Sequence, residues 1–462
     1  MARTGVCLCR SACAWALPWV LGAVVVGWSV GVEAQNQDPF FLSNEAALTA
    51  GAVTAVSDDS GAPWYNPAGL VTIERSSINI NSSAFVLRFR KADNVLRLRL
   101  PDGGEDRATL RSLEVSSVPS SLVVSRRYGD DFSVALGVFV PQQDGIDVSA
   151  DLNNASSFDG AQFDFGQRLT WTQEHTRYHV GPSAAWRLAP GLRVGGSFFA
   201  VYERIKLKEE FLSGSIAQDD RSFVFERFRS ELTDLGTQLV LGVQWEMVPS
   251  LTLGVTLRSP VVVLSRTGEA ESLVSDNRVA PMGPPALDLV FEQQNLDATG
   301  PMFSHPGRVH AGLSWDFGRG HVAIEGDVTG SVNSPELYAV NDTVFNVRMG
   351  ANYYTSPHTE LGFGLFTDYS GRPRPTTFRE VRVDYYGATA GVAMSTARLL
   401  ADSEPSDDLI FTTTIGLRYS LGLGEVAGLV FEPFDRLDDT ETALVDVVFH
   451  EIGVHVGSAI YF

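Results

Sequence analysis

The sequence predicts an all-β fold, a 14-stranded antiparallel transmembrane β-barrel with an N-terminal plug, or hatch, in its lumen. Three observations support this prediction. Apolar residues recur at every second position along most of the chain, no apolar run after residue 34 is long enough for a transmembrane helix, and short and long connections alternate between the predicted strands. Successive side chains of a strand point to opposite faces, so a barrel wall in a bilayer shows this two-residue period.

The composition narrows the class of protein further. The 462-residue chain carries 35 Lys and Arg residues against 55 Asp and Glu residues, a formal net charge of −20. Nucleic-acid-binding proteins need a basic surface, so this balance argues against nucleic acid as a partner. With 44% hydrophobic and 19% charged residues, the chain is too apolar to be disordered and too polar to be a bundle of transmembrane helices.

Residues 1–34 are predicted to be a cleaved signal peptide. Arg3 and Arg10 form a positive start, residues 14–32 carry no charge, and small residues precede a cleavage site after Ala34. An uncleaved membrane anchor is the alternative. The three cysteines of the chain all lie inside this segment: Cys7, Cys9 and Cys13. We therefore expect an exported protein without a thiol, located in the outer membrane of a Gram-negative bacterium.

Residues 35–74 are predicted to form the hatch. This segment is rich in Ala, Phe and Trp, which a flexible polar leader does not need. Proline at position 67 holds Asn66 in an extended geometry, and Gly69 permits a positive φ shortly afterwards. The candidate hatch motif is Asn66, Pro67, Ala68 and Gly69. A disordered leader and a periplasmic mini-domain are the alternatives.

Residues 75–462 are predicted to form the barrel. The strands are expected at 77–90, 115–125, 132–141, 168–187, 192–208, 231–245, 251–265, 309–317, 321–332, 344–354, 360–369, 381–395, 410–420 and 447–462. An even number places both ends of the barrel on the periplasmic side. Links after even-numbered strands are mostly short, whereas long outer loops are expected at 91–114, 142–167, 209–230, 266–308 and 421–446. This asymmetry is typical of outer-membrane barrels.

The two faces of the predicted strands differ in a way that favours a membrane barrel over a soluble sandwich. The second face is polar and rich in glycine, and aromatic residues stand at strand ends, where interfacial girdles occur: Tyr178, Trp186, Tyr202, Trp245, Trp315, Tyr353, Tyr369 and Tyr419. The chain also ends on an alternating strand with a terminal Phe462, which resembles the signal that the barrel-assembly machinery reads.

Several stretches resemble the FadL/TodX family of outer-membrane transporters for long-chain fatty acids and aromatic hydrocarbons. The first is 52–70, which contains Tyr65-Asn66-Pro67-Ala68-Gly69-Leu70 where the family's hatch carries an Asn-Pro-Ala motif. Further similarity lies in 132–141, 178–201, 305–308 and 346–369. The resemblance implies a monomeric barrel of 14 strands with a lumenal hatch. It also implies passive transport, with the ligand leaving sideways through a kinked strand.

The fourth predicted strand carries candidate ligand-binding residues on its inner face: Leu169, Trp171, His175, Arg177 and His179. A fatty-acid carboxylate favours a cation such as Arg177 or a protonated histidine, because a buried anion needs a paired donor. The alternative is that these residues belong to a lumenal charge network. Gly181-Pro182 in the same strand weakens pairing and is a candidate lateral gate, although proline is also tolerated near a strand end.

A second inward-facing set is predicted to hold the hatch or to fill the lumen with compensating charge: Glu325, Asp327, Arg348, Arg418 and Glu451. Another basic group lies at the top of the first strand and in the first outer loop. It is a candidate for binding lipopolysaccharide phosphates: Arg88, Arg90, Lys91, Arg97 and Arg99. A solvated loop is the alternative for that group.

Nothing in the sequence indicates an enzyme. The eight histidines are scattered, and neither His175/His179 nor His450/His455 has a third ligand or zincin spacing, so no cofactor or metal is predicted. The predicted function is passive uptake of hydrophobic small molecules, such as long-chain fatty acids or aromatic hydrocarbons, through the outer membrane. A water-filled general porin and a structural or receptor barrel are the alternatives. Outer-membrane lipid and lipopolysaccharide are the other expected partners.

Overall fold

We describe the protein from a computed structural model that covers residues 36, 41–100, 103–158, 161–217, 220–277, 288–334, 339–378, 380–396, 409–432 and 441–462. The predicted signal peptide lies outside the described residues. Within the described ranges, no helix has both the length and the apolar composition needed to cross a membrane.

The described residues are dominated by β-strands. In chain order they are β1 (Ser77–Arg99), β2 (Glu105–Tyr128), β3 (Phe132–Phe158), β4 (Ala161–Ala189), β5 (Leu192–Ala217), β6 (Asp220–Val248), β7 (Leu251–Arg258), β8 (Val261–Asp276), β9 (Asp288–Asn295), β10 (Ala298–His305), β11 (Arg308–Asp316), β12 (Gly320–Thr329), β13 (Val332–Ser334), β14 (Ala339–Asn341), β15 (Val344–Ser356), β16 (Thr359–Asp368), β17 (Val381–Ser395), β18 (Ile410–Phe431) and β19 (Glu441–Tyr461).

These strands form a closed antiparallel barrel, as predicted. Each strand from β1 to β7 pairs with the next, β7 pairs with β11, and the order continues through β12, β15, β16, β17 and β18 to β19. The ring closes where β19 pairs with β1, for example at Ile78 opposite Ile460. Closure removes the unpaired edges that the hydrocarbon of a bilayer does not tolerate.

The sheet holds more strands than the fourteen predicted, because β8, β9 and β10 join it in addition to the strands of the ring. The predicted strand 251–265 is divided at Ser259-Pro260 into β7 and β8. Pro260 has no N–H for the ladder, and the two halves take different partners. β7 pairs with β6 and β11, whereas β8 pairs with β6, β9 and β10.

The predicted long outer loops are largely strand extensions instead. In the predicted loop 209–230, β5 and β6 stay paired from Glu209 opposite Phe228 to Ala217 opposite Asp220. Beyond the membrane both faces of a strand meet water, so the apolar alternation stops although the backbone ladder continues. The sequence pattern therefore marks the membrane-crossing part of each strand and misses its outer part.

The predicted inner and outer faces are present. On β4 the inward residues alternate with exposed Tyr178, Val180 and Trp186. Large exposed apolar side chains recur around the ring, for example Leu257 on β7, Leu313 on β11 and Phe363 on β16. Such an outward apolar band is what an outer-membrane barrel presents to lipid.

Residues 41–73, which we term the N-terminal segment, are folded and mostly buried. They contain helices α1 (Asn44–Leu48) and α2 (Ala62–Tyr65) and a 3₁₀ helix, Pro67–Thr72. Helix α1 contacts β15 to β19, and the 3₁₀ helix contacts β3 to β6. The N-terminal segment therefore touches two separate arcs of the ring.

One ladder of the ring is incomplete. Strands β2 and β3 pair from Tyr128 opposite Phe132 to Ser121 opposite Phe139, and among the described residues their pairing ends there. The ladders on either side continue, β1 with β2 as far as Arg99 and β3 with β4 as far as Phe158. Pro141 in β3 cannot donate, and the register of β3 against β4 shifts beside it. We term the gap between 105–120 of β2 and 140–158 of β3 the β2/β3 seam.

Candidate functional site

A cavity of about 100 Å³ lies inside the barrel and is lined from both sides of the β2/β3 seam. We term it the lumenal cavity. Its apolar lining comes from seven strands: Ala92, Val95, Leu110, Ile146, Val148, Trp171, Val381, Val426, Val447 and Phe449. Ten polar or charged residues also line it, yet most of the surface that it exposes is apolar, as in sites for small hydrophobic ligands.

The polar side of the lumenal cavity is a cluster of charges that we term the seam cluster: Arg88, Arg90, Glu114, Asp144 and Glu451. The Arg88 side chain is 1% exposed and lies 2.9 Å from Glu114, 3.1 Å from Asp144 and 3.4 Å from Glu451. Arg90 lies 3.1 Å from Glu114 and 2.9 Å from Asp144. Each buried guanidinium is thus paired with carboxylates, as burial of charge requires.

The seam cluster also bridges the β2/β3 seam. The Glu114 carboxylate accepts a hydrogen bond of 3.2 Å from the backbone N–H of Gly145 in β3. The Arg90 guanidinium donates one of 2.9 Å to the backbone carbonyl of the same glycine. Side chains therefore satisfy backbone groups that a neighbouring strand satisfies elsewhere in the ring.

Sequence reasoning missed the seam cluster, because it treated Arg88 and Arg90, at the top of the first strand, as candidates for lipopolysaccharide phosphates. Both residues lie in β1, as predicted, but they point inward, on the same face as buried Val86. The alternation of faces predicts this inward orientation, because Val86, Arg88 and Arg90 are two residues apart and therefore lie on the same face of the strand. Glu114 and Asp144 lay in predicted loops and carried no such signal.

Of the candidate ligand-binding residues, Trp171 lines the lumenal cavity. Leu169 is buried in the apolar cluster that adjoins it, together with Phe211 and Phe431. Both residues are on the inner face of β4, as their parity predicts.

His175 and Arg177 lie in a different place, in a buried network with two residues that the sequence did not single out. The His175 ring lies 2.6 Å from the Glu203 carboxylate, and the His305 ring lies 2.9 Å from it. Arg177 donates to the His305 ring at 2.8 Å. These contacts fit the alternative interpretation of these residues, a lumenal charge network, because the Arg177 guanidinium already has protein partners.

His179 packs against the N-terminal segment. Its ring meets the Trp64 ring edge to face, with centroids 5.0 Å apart, and neither ring nitrogen has a hydrogen-bond partner among the described residues. The Arg258 guanidinium lies 3.9 Å from the centre of the Trp64 ring and donates to the Trp64 carbonyl at 2.6 Å. His179 therefore helps to hold Trp64 and does not reach the lumenal cavity.

The candidate motif joins the N-terminal segment to the wall. Asn66 is fully buried, donates to the carbonyls of Thr54 at 2.7 Å and Val243 at 3.0 Å, and caps the 3₁₀ helix that Pro67 begins, by accepting from the Ala68 N–H at 3.2 Å. The expected positive φ at Gly69 is wrong, since Gly69 is not among the residues with positive φ. Glycine is needed there for space, because a Cβ would lie 1.6 Å from the Ser57 carbonyl oxygen.

Three of the five residues predicted to hold the hatch form one network beneath this segment. Glu325 accepts a hydrogen bond of 2.9 Å from the Thr54 N–H, and Arg348 lies 3.3 Å from Glu325 and 3.0 Å from Asp327. Arg308 and His310 complete the network and were not predicted. The network therefore contacts the N-terminal segment directly through Glu325.

The other two residues of that set lie elsewhere. The Arg418 guanidinium lies over the rings of Phe41, at 4.8 Å, and Phe366, at 4.6 Å. Glu451 belongs to the seam cluster. The inward parity of the five was predicted, but their division among three places was not.

Glycines of the inner wall make room for the N-terminal segment. A Cβ built on any of them would lie within 2.5 Å of an atom of the segment: Gly195, Gly242, Gly254, Gly350, Gly362, Gly364 and Gly457. These glycines belong to β5, β6, β7, β15, β16 and β19. The glycine-rich inner face seen in the sequence is thus explained by close backbone approach.

Asp59 makes the packing of the N-terminal segment sensitive to pH. Its carboxylate accepts hydrogen bonds from the N–H groups of Glu45, at 3.0 Å, and Gly61, at 2.7 Å. Burial nevertheless outweighs these bonds and raises the pKa of Asp59 from 3.8 to about 6. A raised pKa means that the packed state binds the proton more tightly than the released state does.

We therefore expect Asp59 to contribute stability to the packed segment that is full below about pH 4 and is lost as the pH rises through about 6. The pKa of Asp58, which burial raises from 3.8 to about 7, extends this loss to higher pH. Hydrogen–deuterium exchange of residues 41–73, corrected for intrinsic rates, measures the change between about pH 4 and about pH 7. D59N should reduce the difference between the two pH values. An equal pH dependence in D59N would contradict the assignment to Asp59.

Within the described residues, no group of three or more His, Cys, Asp and Glu side chains has an arrangement that could hold a metal ion.

The sequence model of a family described as "Outer membrane protein transport protein (OMPP1/FadL/TodX)" matches residues 26–279, more than half of the chain. No curated protein sequence matches the chain.

Solved structures share the fold. A FadL homologue from Pseudomonas aeruginosa is 12% identical, with a TM-score of 0.57, and the match covers 93% of this chain and 99% of that one. The toluene transporter TbuX from Ralstonia pickettii is 14% identical, with a TM-score of 0.54, covering 92% and 99%. The toluene transporter TodX from Pseudomonas putida is 14% identical, with a TM-score of 0.50, covering 91% and 98%. At these identities the likeness concerns the fold alone.

Proposed function

Because the chain belongs to the outer membrane protein transport protein (OMPP1/FadL/TodX) family, we propose that it is a plugged channel through which hydrophobic small molecules cross the outer membrane passively. The barrel belongs in the outer membrane of a Gram-negative bacterium. The family consists of transport channels, which argues against an enzyme.

The lumenal cavity is the observation that carries the proposal. It combines ten apolar side chains with charges that are already paired, and it lies beside the β2/β3 ladder, which ends early among the described residues. An open porin needs a continuous polar path for water, whereas this cavity offers an apolar surface next to a break in the wall. The arrangement favours a hydrophobic ligand over a hydrated one.

The N-terminal segment acts as the hatch in this proposal. Its burial, its contacts with two arcs of the ring and the glycines that accommodate its backbone support a plug that closes the lumen. The network of Glu325 and Arg348 holds it from one side, and Arg258 holds it through Trp64 from another. Movement of the segment then controls passage towards the periplasm.

The β2/β3 seam is the proposed lateral exit. Residues on both of its sides line the lumenal cavity, Leu110 and Ser112 from β2 and Ile146 and Val148 from β3. A ligand that leaves here enters the bilayer without crossing water. Gly181-Pro182 is a weaker candidate, because the ladder of β4 with β5 is interrupted there but resumes at Ser183 opposite Ser197.

The charges of the seam cluster favour an uncharged ligand. Its two guanidinium groups, of Arg88 and Arg90, already face three carboxylates, of Glu114, Asp144 and Glu451. The carboxylate of a ligand would meet no net positive charge in this cluster, and the three protein carboxylates would repel it in a poorly hydrated site. We therefore place aromatic or other neutral hydrocarbons ahead of fatty-acid anions.

The test is uptake into liposomes with ion conductance recorded in planar bilayers. We expect low conductance together with uptake of toluene, and slower uptake of a long-chain fatty acid. V148W, which fills the lumenal cavity, should reduce uptake several-fold, whereas V124W on the lipid-facing side of β2 should not. A large steady conductance without uptake of either compound would mean a water-filled porin.

The proposed channel acts as a monomer. The closed ring completes the barrel within one chain, which supports this state.

A further inference from the structure

The outer wall carries a groove beside the proposed exit, and its lipid-facing side is not used in the proposed passage of a ligand. It is an open space of about 1360 Å³ over neighbouring strands β19, β1 and β2. Three apolar side chains form its floor: Phe89, Leu113 and Val448. Three groups that are or can become cationic stand beside them: Lys91, Arg111 and His450. We term it the outer groove.

The apolar floor continues the lipid-facing band of the barrel. Phe89 is 41% exposed, Leu113 64% and Val448 42%, and all three point away from the lumen. Exposed Phe85 and Val115 precede them towards the periplasmic end of β1 and β2. Lys91 and Arg111 follow directly, so they stand where the apolar band gives way to charge. This is the level of lipid head groups.

The two cations face each other directly. Lys91 and Arg111 are register partners in the ladder of β1 with β2, and Arg97 and Arg107 form a second such pair further along the same hairpin. Like charges directly opposite each other on one face destabilise a strand pair. An anion between such cations relieves the repulsion, and Glu105 supplies one to Arg107 at 2.7 Å.

The protein's own acids compensate only in part. Asp93 lies 2.6 Å from Lys91, and Asp446 also lines the outer groove. Among the described residues, Arg111 takes part in no ion pair. A phosphate placed between Lys91 and Arg111 accepts charge-assisted hydrogen bonds from both and removes their repulsion.

We propose that the outer groove binds a phosphorylated lipid of the outer leaflet, such as the lipid A part of lipopolysaccharide. Lys91 and Arg111 hold the phosphate, His450 lies at its side, and the acyl chains cover Phe89, Leu113 and Val448. The apolar floor is the reason to commit to a lipid, because a free phosphate ion gains nothing from it. Arg88 and Arg90, which the sequence also suggested for this role, point inward and are paired there.

The test is native mass spectrometry of the full-length barrel, titrated with lipid A, with dephosphorylated lipid A and with inorganic phosphate. We expect lipid A to bind to the unmodified barrel and the double variant K91Q/R111Q to weaken binding at least about tenfold, since two charge-assisted hydrogen bonds are lost. K208Q changes an exposed lysine on β5 and should bind as the unmodified barrel does. Both variants keep the ladder, and heat-modifiable mobility on gels checks that they are folded.

Three results would overturn the proposal: equal binding of lipid A by K91Q/R111Q, equal binding of dephosphorylated lipid A, or displacement of lipid A by millimolar inorganic phosphate. The first would remove the two cations from the site, the second would leave only the apolar floor, and the third would make it a site for a free anion. Weak binding of dephosphorylated lipid A and no competition by inorganic phosphate would support a lipid-borne phosphate.

Discussion

Replacing Gly254 with alanine is expected to raise the ion conductance of the barrel several-fold. Gly254 faces the N-terminal segment from β7, and a Cβ at this position would lie 2.2 Å from the Thr54 carbonyl oxygen. Real Cβ atoms do not approach a backbone atom so closely, so the segment must move away from the wall. The ladder of β7 is unaffected, because only the inner face changes.

Gly312 offers a matched control for this prediction. It lies on β11 directly opposite Gly254 in the ladder and also faces the segment, but its Cβ would stay 3.4 Å or more from other atoms. G312A should therefore keep the conductance of the unmodified protein. Single-channel recordings in planar bilayers measure both variants. Equal, low conductance in G254A and G312A would contradict a plug held by close packing.

Cross-linking the β2/β3 seam is expected to stop the uptake of hydrophobic ligands and to leave ion conductance unchanged. A Cβ on Gly145 would lie 3.6 Å from the Glu114 carboxylate, so cysteines at 114 and 145 point towards each other across the seam. A short bis-methanethiosulfonate linker, which forms a reducible disulfide with each cysteine and releases methanesulfinate, then holds the two strands together. The only cysteines of the sequence lie within residues 1–34, so no other thiol of the barrel competes.

The reference state is the E114C/G145C protein before linking, because the substitution itself removes part of the seam cluster. Uptake into liposomes should fall to the level of empty vesicles on linking and recover on reduction. The same linker between cysteines at Val124 and Leu136, which are paired partners of the same two strands, should change nothing. Undiminished uptake by the linked E114C/G145C protein would place the exit elsewhere.

Much of the candidate site lies beyond what a sequence pattern can predict. The inward orientation of Trp171, Glu325 and Arg348 follows from parity, since each residue in a strand alternates faces. Which inward side chains meet depends on the stagger of neighbouring strands and on what fills the lumen. Arg177 was a candidate for a carboxylate ligand, with a lumenal charge network as the alternative, and Glu203 and His305 from two other strands lie beside it.

The sequence by itself determined that the chain is a membrane barrel, which face of each strand meets lipid, and to which family it belongs. Those properties follow from a two-residue period and a local motif, both read from near neighbours along the chain. Only the tertiary structure decided that β7 and β8 separate at Pro260, that β2 and β3 part above Ser121, and that charges from β1, β2, β3 and β19 bridge the gap. The reason is physical: alternation records whether a side chain meets lipid or lumen, whereas pairing depends on the register of distant strands, which no local pattern carries.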